Sequence, residues 1–479
     1  MTPGMTTRSR WPALYVLCLA SLMIVLDVTI VNVALPSIRQ SLHFSETTLA
    51  WVVNAYVLTF GGFLLLGGRL GDLFGGRWLF IGGIALFTVA SLCCGLATSQ
   101  WMLIVARAIE GFGGAIASAV SLSLTMNLFT EPVDRAKAMG VFGFVSAGGG
   151  SVGVLLGGIL TGSLNWHWIF LVNVPVGAIV IALALRLLPA QPAPHAEQRL
   201  DLGGAVSVTA ALILAVYAIV NADHAGWLSA QTLGLLAGAL ALLAVFVAIE
   251  SRVAAPLMPL GLIARRNLAT ANVVGILWSA AMFAWFFLAA LYLQLVLHYR
   301  PLDVGLAFLP ANLIMAVFSL GLSARIVMRY GVRVPLGAGL ALACGGLALL
   351  ARAPVHGGFA ADVLSSMILL GLGGGLAFNP VLLAAMSAVE PSESGLASGI
   401  VNTAFMMGGA LGLAVLASIA SSRTQTLHHH GAGPLAALVG GYHVAFIVGA
   451  AFALLAALLG SGVLRDARIG APVPVTEAT

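Results

Sequence analysis

Hydrophobic positions run along this chain in long unbroken stretches, separated by short polar intervals that carry most of the charge. A helix rises about 1.5 Å per residue, so about 20 consecutive apolar residues cross the hydrocarbon of a bilayer. Fourteen stretches reach roughly that length, near residues 12–36, 47–68, 78–98, 102–127, 138–162, 166–188, 202–221, 231–250, 268–294, 304–324, 334–352, 360–384, 395–420 and 441–464. The first exceeds the roughly 7 to 15 residues of a signal-peptide core and is expected to be retained as a helix. The pattern predicts an all-α membrane protein with fourteen spans.

Composition agrees with the pattern. Hydrophobic residues make up 60% and charged residues 8%, against about 25% charged in a soluble domain. Where the basic residues fall says more than the net charge of +5. With the intervals assigned alternately to two sides, sixteen of the 21 Lys and Arg lie on one side. Four (Arg39, Arg300, Arg352 and Arg423) lie on the other, and Arg107 lies within a run. The side rich in positive charge faces the cytoplasm, which predicts cytoplasmic N and C termini and an even number of spans. Cys18, Cys93, Cys94 and Cys344 all fall inside apolar runs and read as small buried side chains rather than a disulfide framework.

The chain repeats itself. Gly68 to Arg77 parallels Ala324 to Arg333 at an offset of 256, and Glu131-Pro132 with Gly140, Gly149, Gly150 and Gly153 parallels Glu390-Pro391 with Gly399, Gly408, Gly409 and Gly412 at 259. Nearly equal offsets predict duplicated halves. The expected division is a six-helix bundle over 1–188, a linker with two inserted helices over 189–266, a second six-helix bundle over 267–464 and a disordered tail over 465–479. Parallel six-helix repeats are a transporter architecture, with the substrate path between the halves near the midplane.

Few ionisable groups lie at membrane depth, and those that do point to function. Asp27 interrupts the first run. Burial disfavours its charged form, so it is a candidate to take up and release a proton. Arg107 and Glu110 are three residues apart and share one helix face. They read either as a locally neutral ion pair or as a proton relay in which protonation of Glu110 frees Arg107.

At this point the chain resembles the major facilitator superfamily, in its fourteen-helix drug/proton antiporter branch. The resemblance rests on Leu26 to Pro36, Gly68 to Arg77, Leu103 to Ala115, Gly149 to Gly158 and the string Trp166 to Pro175. It implies a proton-transfer role for Arg107 and a cytoplasmic gate latch in the loop carrying Gly68, Arg69, Asp72, Gly75 and Arg77. It also implies a conformational role for Gly149, Gly153, Gly157 and Gly158. The chain departs from the family's usual residues at Glu110, where Gln is common, at Leu73 and Gly76, where basic residues are common, and at Val154, where a proline is usual.

Asn32, Trp285, Phe286, Asn379, Phe405 and Met406 are candidates for an adaptable apolar substrate pocket. His428, His429 and His430 are expected in an outer loop, solvated rather than metal-bound. No phosphate-binding Gly-x-x-x-x-Gly-Lys loop occurs, and no catalytic or metal constellation or nucleic-acid-binding feature stands out. The expectation is a proton-gradient-driven exporter of amphipathic small molecules, often cationic, needing no cofactor. It would act as a monomer in a bacterial cytoplasmic membrane and confer antibiotic resistance. The alternatives are export of a dedicated endogenous metabolite, or a non-transporting sensor or channel.

Overall fold

The computed structural model describes residues 7–74, 76–129, 131–189, 201–253, 256–318, 322–387, 389 and 394–464. These residues fold into helices and contain no strand. The long helices of the first part are α1 (Thr7–Leu42), α2 (Trp51–Phe74), α3 (Gly76–Gly95), α4 (Gln100–Leu128), α5 (Pro132–Ser163) and α6 (Asn173–Leu187). A hairpin of α7 (Leu202–Ala225) and α8 (Ala230–Glu250) follows. The remainder holds α9 (Arg266–Leu291), α10 (Pro301–Val317), α11 (Arg333–Leu350), α12 (Leu364–Met386), α13 (Ser394–His429) and α14 (Pro434–Gly462). Among the described residues, 12 helices are long and apolar enough to cross a membrane, and segments 152–163 of α5 and 301–317 of α10 are shorter apolar helices.

Helix ends differ from the hydropathy limits in an informative way. α1 continues through Pro36 to Leu42, because one proline removes one ladder hydrogen bond and the flanking turns keep theirs. α2 likewise runs to Phe74, so Gly68, Arg69 and Asp72, expected in a loop, stand on its last turns. α13 runs to His429, which places His428 and His429 on its final turn and His430 just beyond it, with His430 Nδ1 donating to the Thr426 carbonyl at 2.7 Å. Hydropathy marks the part of a helix that meets lipid, and the backbone ladder continues beyond it into water.

The packing repeats. α1 packs on α5 and α6, α2 on α4, and α3 on α4 and α6; in the same order α9 packs on α13 and α14, α10 on α12, and α11 on α12 and α14. The two most extensive contacts between the halves exchange under the same repeat, α5 with α10 and α2 with α13. Missing side chains make the close approaches possible. A Cβ at Gly153 would sit 2.0 Å from Thr29 Oγ1 of α1, and one at Gly412 would sit 2.1 Å from Ala280 Cβ of α9. Between the halves, a Cβ at Gly158 would come 2.7 Å from the Pro301 carbonyl oxygen, and one at Gly399 would come 2.5 Å from Leu65 Cδ2. Gln294, in a π-helical turn (Tyr292–Val296) that ends α9, donates to the Val33 carbonyl of α1 at 2.9 Å. The α5–α10 contact and this bond join the halves at the end of the bundle that carries the 43–45, 96–99 and 164–167 connections.

Candidate functional site

The ionisable residues singled out in two separate stretches meet at one point. Arg107, on α4, is 1% exposed; Asp27 on α1 and Glu110 on α4 are fully buried. Arg107 Nη1 lies 2.5 Å from Asp27 Oδ2 and 2.8 Å from Glu110 Oε2. Its Nε donates to the Val52 carbonyl at 3.0 Å, and its guanidinium sits 4.3 Å from the Tyr56 ring and 5.5 Å from the Phe170 ring. Each contact answers a cost, since an ion removed from water is tolerated only when paired and hydrogen-bonded. Aromatic faces add attraction to the cation.

The surround is polar and ordered. Asn173, the first residue of α6, donates to Asp27 Oδ1 at 3.1 Å and to Ser91 Oγ at 3.0 Å. Ser91 donates in turn to the Phe170 carbonyl at 3.0 Å, and Cys94 Sγ lies 3.5 Å from Glu110 Oε2. Among the described residues, Glu110 Oε1 and Tyr56 Oη are buried without a hydrogen-bond partner. Two carboxylates against one guanidinium leave the cluster one negative charge in excess. Binding one proton neutralises it.

The sequence pointed to Arg107–Glu110 as a pair and to Asp27 as a separate group, and the fold joins all three. Tyr56, Ser91 and Asn173 were not picked out for this cluster, and Cys94 was read only as a small buried side chain. The visible signal was a polar residue in an apolar run, which Asn173 supplies within the Trp166 to Pro175 string.

The other candidates fall elsewhere. Gly149, Gly153 and Gly157 line the face of α5 against α1, with Val25, Thr29 and Ile30 opposite, and Gly158 meets Pro301 of α10. Of the latch residues, Gly75 and the side chains of Arg69 and Asp72 lie outside the described residues, and a Cβ at Gly68 would meet nothing within 4 Å. Arg77 Nη2 donates to the Leu185 carbonyl at the C-terminus of α6.

The proposed pocket residues separate into groups. Phe405 lines a cavity of about 410 Å³ between α9, α12 and α13, with Gly275, Trp278, Phe378, Val381, Leu382, Val401 and Asn402. Trp285 and Phe286 pack with Phe308 of α10, at ring separations of 4.4 Å for Trp285–Phe286 and 5.4 Å for Phe286–Phe308. Met406 faces Gly61 across the α2–α13 contact. Asn32 lies on α1 and is 8% exposed, and Asn379 precedes Pro380 in α12, half-buried.

Two helical halves of matching internal packing that meet across a seam, the first holding a buried charge cluster among its own helices, define a polytopic membrane transporter. Residues 17–413 match the Major Facilitator Superfamily, and the chain belongs to that family. It is 40% identical over 465 residues to the puromycin resistance protein pur8 of Streptomyces alboniger, covering 96% of this chain and 92% of that one. It is 38% identical over 456 residues to the cephamycin export protein CmcT of Amycolatopsis lactamdurans, covering 95% and 92%. Among solved structures, the POT family transporter PepTSo superposes with a TM-score of 0.68 at 15% identity, covering 96% of this chain and 98% of that one, a likeness of fold alone. The protein is thus a multi-pass membrane transporter and not an enzyme, and its relatives are resistance and export proteins for antibiotics and other drugs.

Proposed function

We propose that this protein exports amphipathic small molecules, cations among them, in exchange for protons. The two six-helix halves, over 1–188 and 267–464, would rock against each other in a cytoplasmic membrane. In this reading the chain crosses fourteen times, α5 and α10 spanning with the rest. The 189–266 segment is a linker with two inserted helices, both termini are cytoplasmic, and the protein acts as a monomer without a cofactor.

The observation that carries the reading is Arg107 held between two buried carboxylates. A proton reaching Asp27 neutralises it and cuts the Arg107 link between α4 and α1, while the Arg107–Glu110 pair within α4 keeps the guanidinium compensated. Release of the proton restores the link. Because α1 also packs on the glycine face of α5 and meets Gln294 of α9, the proton at Asp27 bears on the contact between the halves.

Substrate fits the cavity between α9, α12 and α13. Its Trp278, Phe378 and Phe405 rings accept flat apolar and cationic groups. The cavity lies toward the end of the bundle expected to face the cytoplasm, while α5 and α10 meet at the opposite end.

Asp27→Asn in proteoliposomes tests the coupling. Gradient-driven accumulation should vanish while substrate counterflow persists, and undiminished accumulation would remove Asp27 from the mechanism. A second reading, export of one metabolite made by the producing cell, draws on relatives named for single antibiotics, puromycin and cephamycin. A substrate panel showing one compound transported and the rest ignored would favour it.

A further inference from the structure

A second buried acidic pair lies far from Arg107, at the foot of the inserted hairpin. Asp201 caps the N-terminus of α7, its Oδ1 accepting from the Gly204 amide at 2.7 Å. Glu250 ends α8, its Oε2 accepting from the Met258 amide at 3.1 Å. The two residues are 5% and 4% exposed. Among the described residues, their remaining oxygens, Asp201 Oδ2 and Glu250 Oε1, are both buried without a hydrogen-bond partner. Both converge on Gly204, where an added Cβ would lie 2.4 Å from the first and 3.0 Å from the second.

No ion pair reaches either carboxyl among the described residues. The charged groups of the surrounding elements are Arg252 in the next turn, which is exposed, Arg265 and Arg266 at the start of α9, and Arg69 and Asp72 on the last turns of α2. Two ionised carboxylates facing each other away from water repel, and each would keep an unsatisfied oxygen. One proton solves both problems, making one group the donor and the other the acceptor of a single charge-assisted hydrogen bond.

The hairpin fastened at this foot bridges the seam between the halves. Ala205 packs with Leu66 of α2 and with Leu257, and Gly62 of α2 approaches so closely that a Cβ there would lie 2.1 Å from Thr209 Oγ1. On the other side, Ser418 of α13 donates to the Ile219 carbonyl of α7 at 3.3 Å. We propose that Asp201 and Glu250 share one proton between their unpartnered oxygens, and that this proton clamps the α7–α8 hairpin as a brace across the α2–α13 seam. The site is separate from the Asp27 cluster and stands or falls independently of antiport.

Asp201→Asn and Glu250→Gln test it on the purified full-length protein. Asn still caps α7 and Gln still accepts from Met258, while each amide offers its partner an N–H at every pH. The folded wild type holds a proton that the unfolded chain has lost by neutral pH, so its stability falls as pH rises. Its thermal midpoint should drop by about 1 to 3 °C more than that of either variant between about pH 6 and about pH 9. The infrared carbonyl band of a protonated carboxylic acid should lose intensity in Glu250→Gln at neutral pH. Parallel pH slopes with an unchanged band would overturn the proposal. So would variants less stable than wild type at the alkaline end, since the pair would then be ionised and held by a cation. Each variant removes the shared proton, so either one alone decides the matter if the other fails to fold.

Discussion

Asp27 and Arg107 stand 80 residues apart in the chain and 2.5 Å apart in the fold, joining α1 to α4 through charges that, with Glu110, are the most deeply buried among the described residues. Removing one partner of such a pair does not cost the same in both directions. Asp27→Asn leaves Arg107 balanced by Glu110 alone, a neutral pair, and should keep the thermal midpoint of the purified protein within a degree or two of wild type. Arg107→Met leaves two carboxylates facing each other without a cation and should cost about 3 to 5 kcal/mol, the typical penalty for an uncompensated buried charge. If the two substitutions destabilise equally, the cluster is not governed by its charge balance.

Glu110→Gln also removes the excess negative charge, but keeps Asp27 as the group that exchanges a proton with the α1–α4 link. Transport should persist, with as many protons released for each substrate bound as in wild type, as read by proton release from detergent-purified protein in weak buffer. Loss of both transport and proton release in Glu110→Gln would reverse the roles assigned to Asp27 and Glu110.

The sequence carried these roles unevenly. Arg107 and Glu110 were legible because three residues separate them on one helix, a spacing fixed by the helix itself. That Asp27 joins them was not legible, because nothing local in residues 20–36 specifies which neighbour α1 will face. The half-to-half repeat was legible from glycines and the Glu-Pro dipeptides, yet the partner of Arg77 was hidden. A backbone carbonyl has no residue signature, and the Leu185 oxygen is available only because helices end with unpaired carbonyls. The polar ends of α2 and α13 were misjudged as loops for the same reason, since hydropathy reports the surroundings and not the ladder.

Arg77 and its repeat counterpart Arg333 make an equivalent bond in the two halves. Arg77 donates to Leu185 at the end of α6, and Arg333 donates through Nε to Ser461 at the end of α14 at 2.7 Å. A cation at a helix C-terminus satisfies orphan carbonyls and favours the dipole. Arg77→Gln and Arg333→Gln should each cost about 1 to 2 kcal/mol, with the double variant close to the sum because the sites lie in different halves. Clear non-additivity in thermal unfolding would show that the two ends communicate.

The glycines of α5 should respond in opposite directions according to what faces them. Gly153→Ala drives a methyl group to within 2.0 Å of Thr29 Oγ1 and should destabilise by about 1 to 3 kcal/mol. Gly150→Ala meets only Thr29 Cγ2 at 3.9 Å, and should stabilise by up to about 1 kcal/mol through helix propensity. Gly158→Ala pushes on the Pro301 carbonyl instead, so its effect should fall on the contact between halves. A disulfide engineered between α5 and α10 at that end should form more slowly in Gly158→Ala than in Gly150→Ala, and equal rates would show that α5 and α10 close without this approach.

Phe405 and Phe286 both belong to the aromatic set expected to meet substrate, but they have different neighbours. Phe405 is half-buried, 6.2 Å from the Phe283 ring and 6.0 Å from the Phe378 ring, and it opens onto the cavity. Phe286 stacks against Phe308 at 5.4 Å beside the buried Trp285, where its loss disturbs the packing of α9 on α10. Phe405→Ala should therefore raise the transport KM for aromatic substrates by about three- to tenfold, the worth of one ring–ring contact, with little change in thermal midpoint. Phe286→Ala should lower the midpoint first and leave KM near wild type in the fraction that folds. An unchanged KM in Phe405→Ala for every aromatic substrate tested would move the binding site out of the α9–α12–α13 cavity, because a bound ring in that space has Phe405 on its wall.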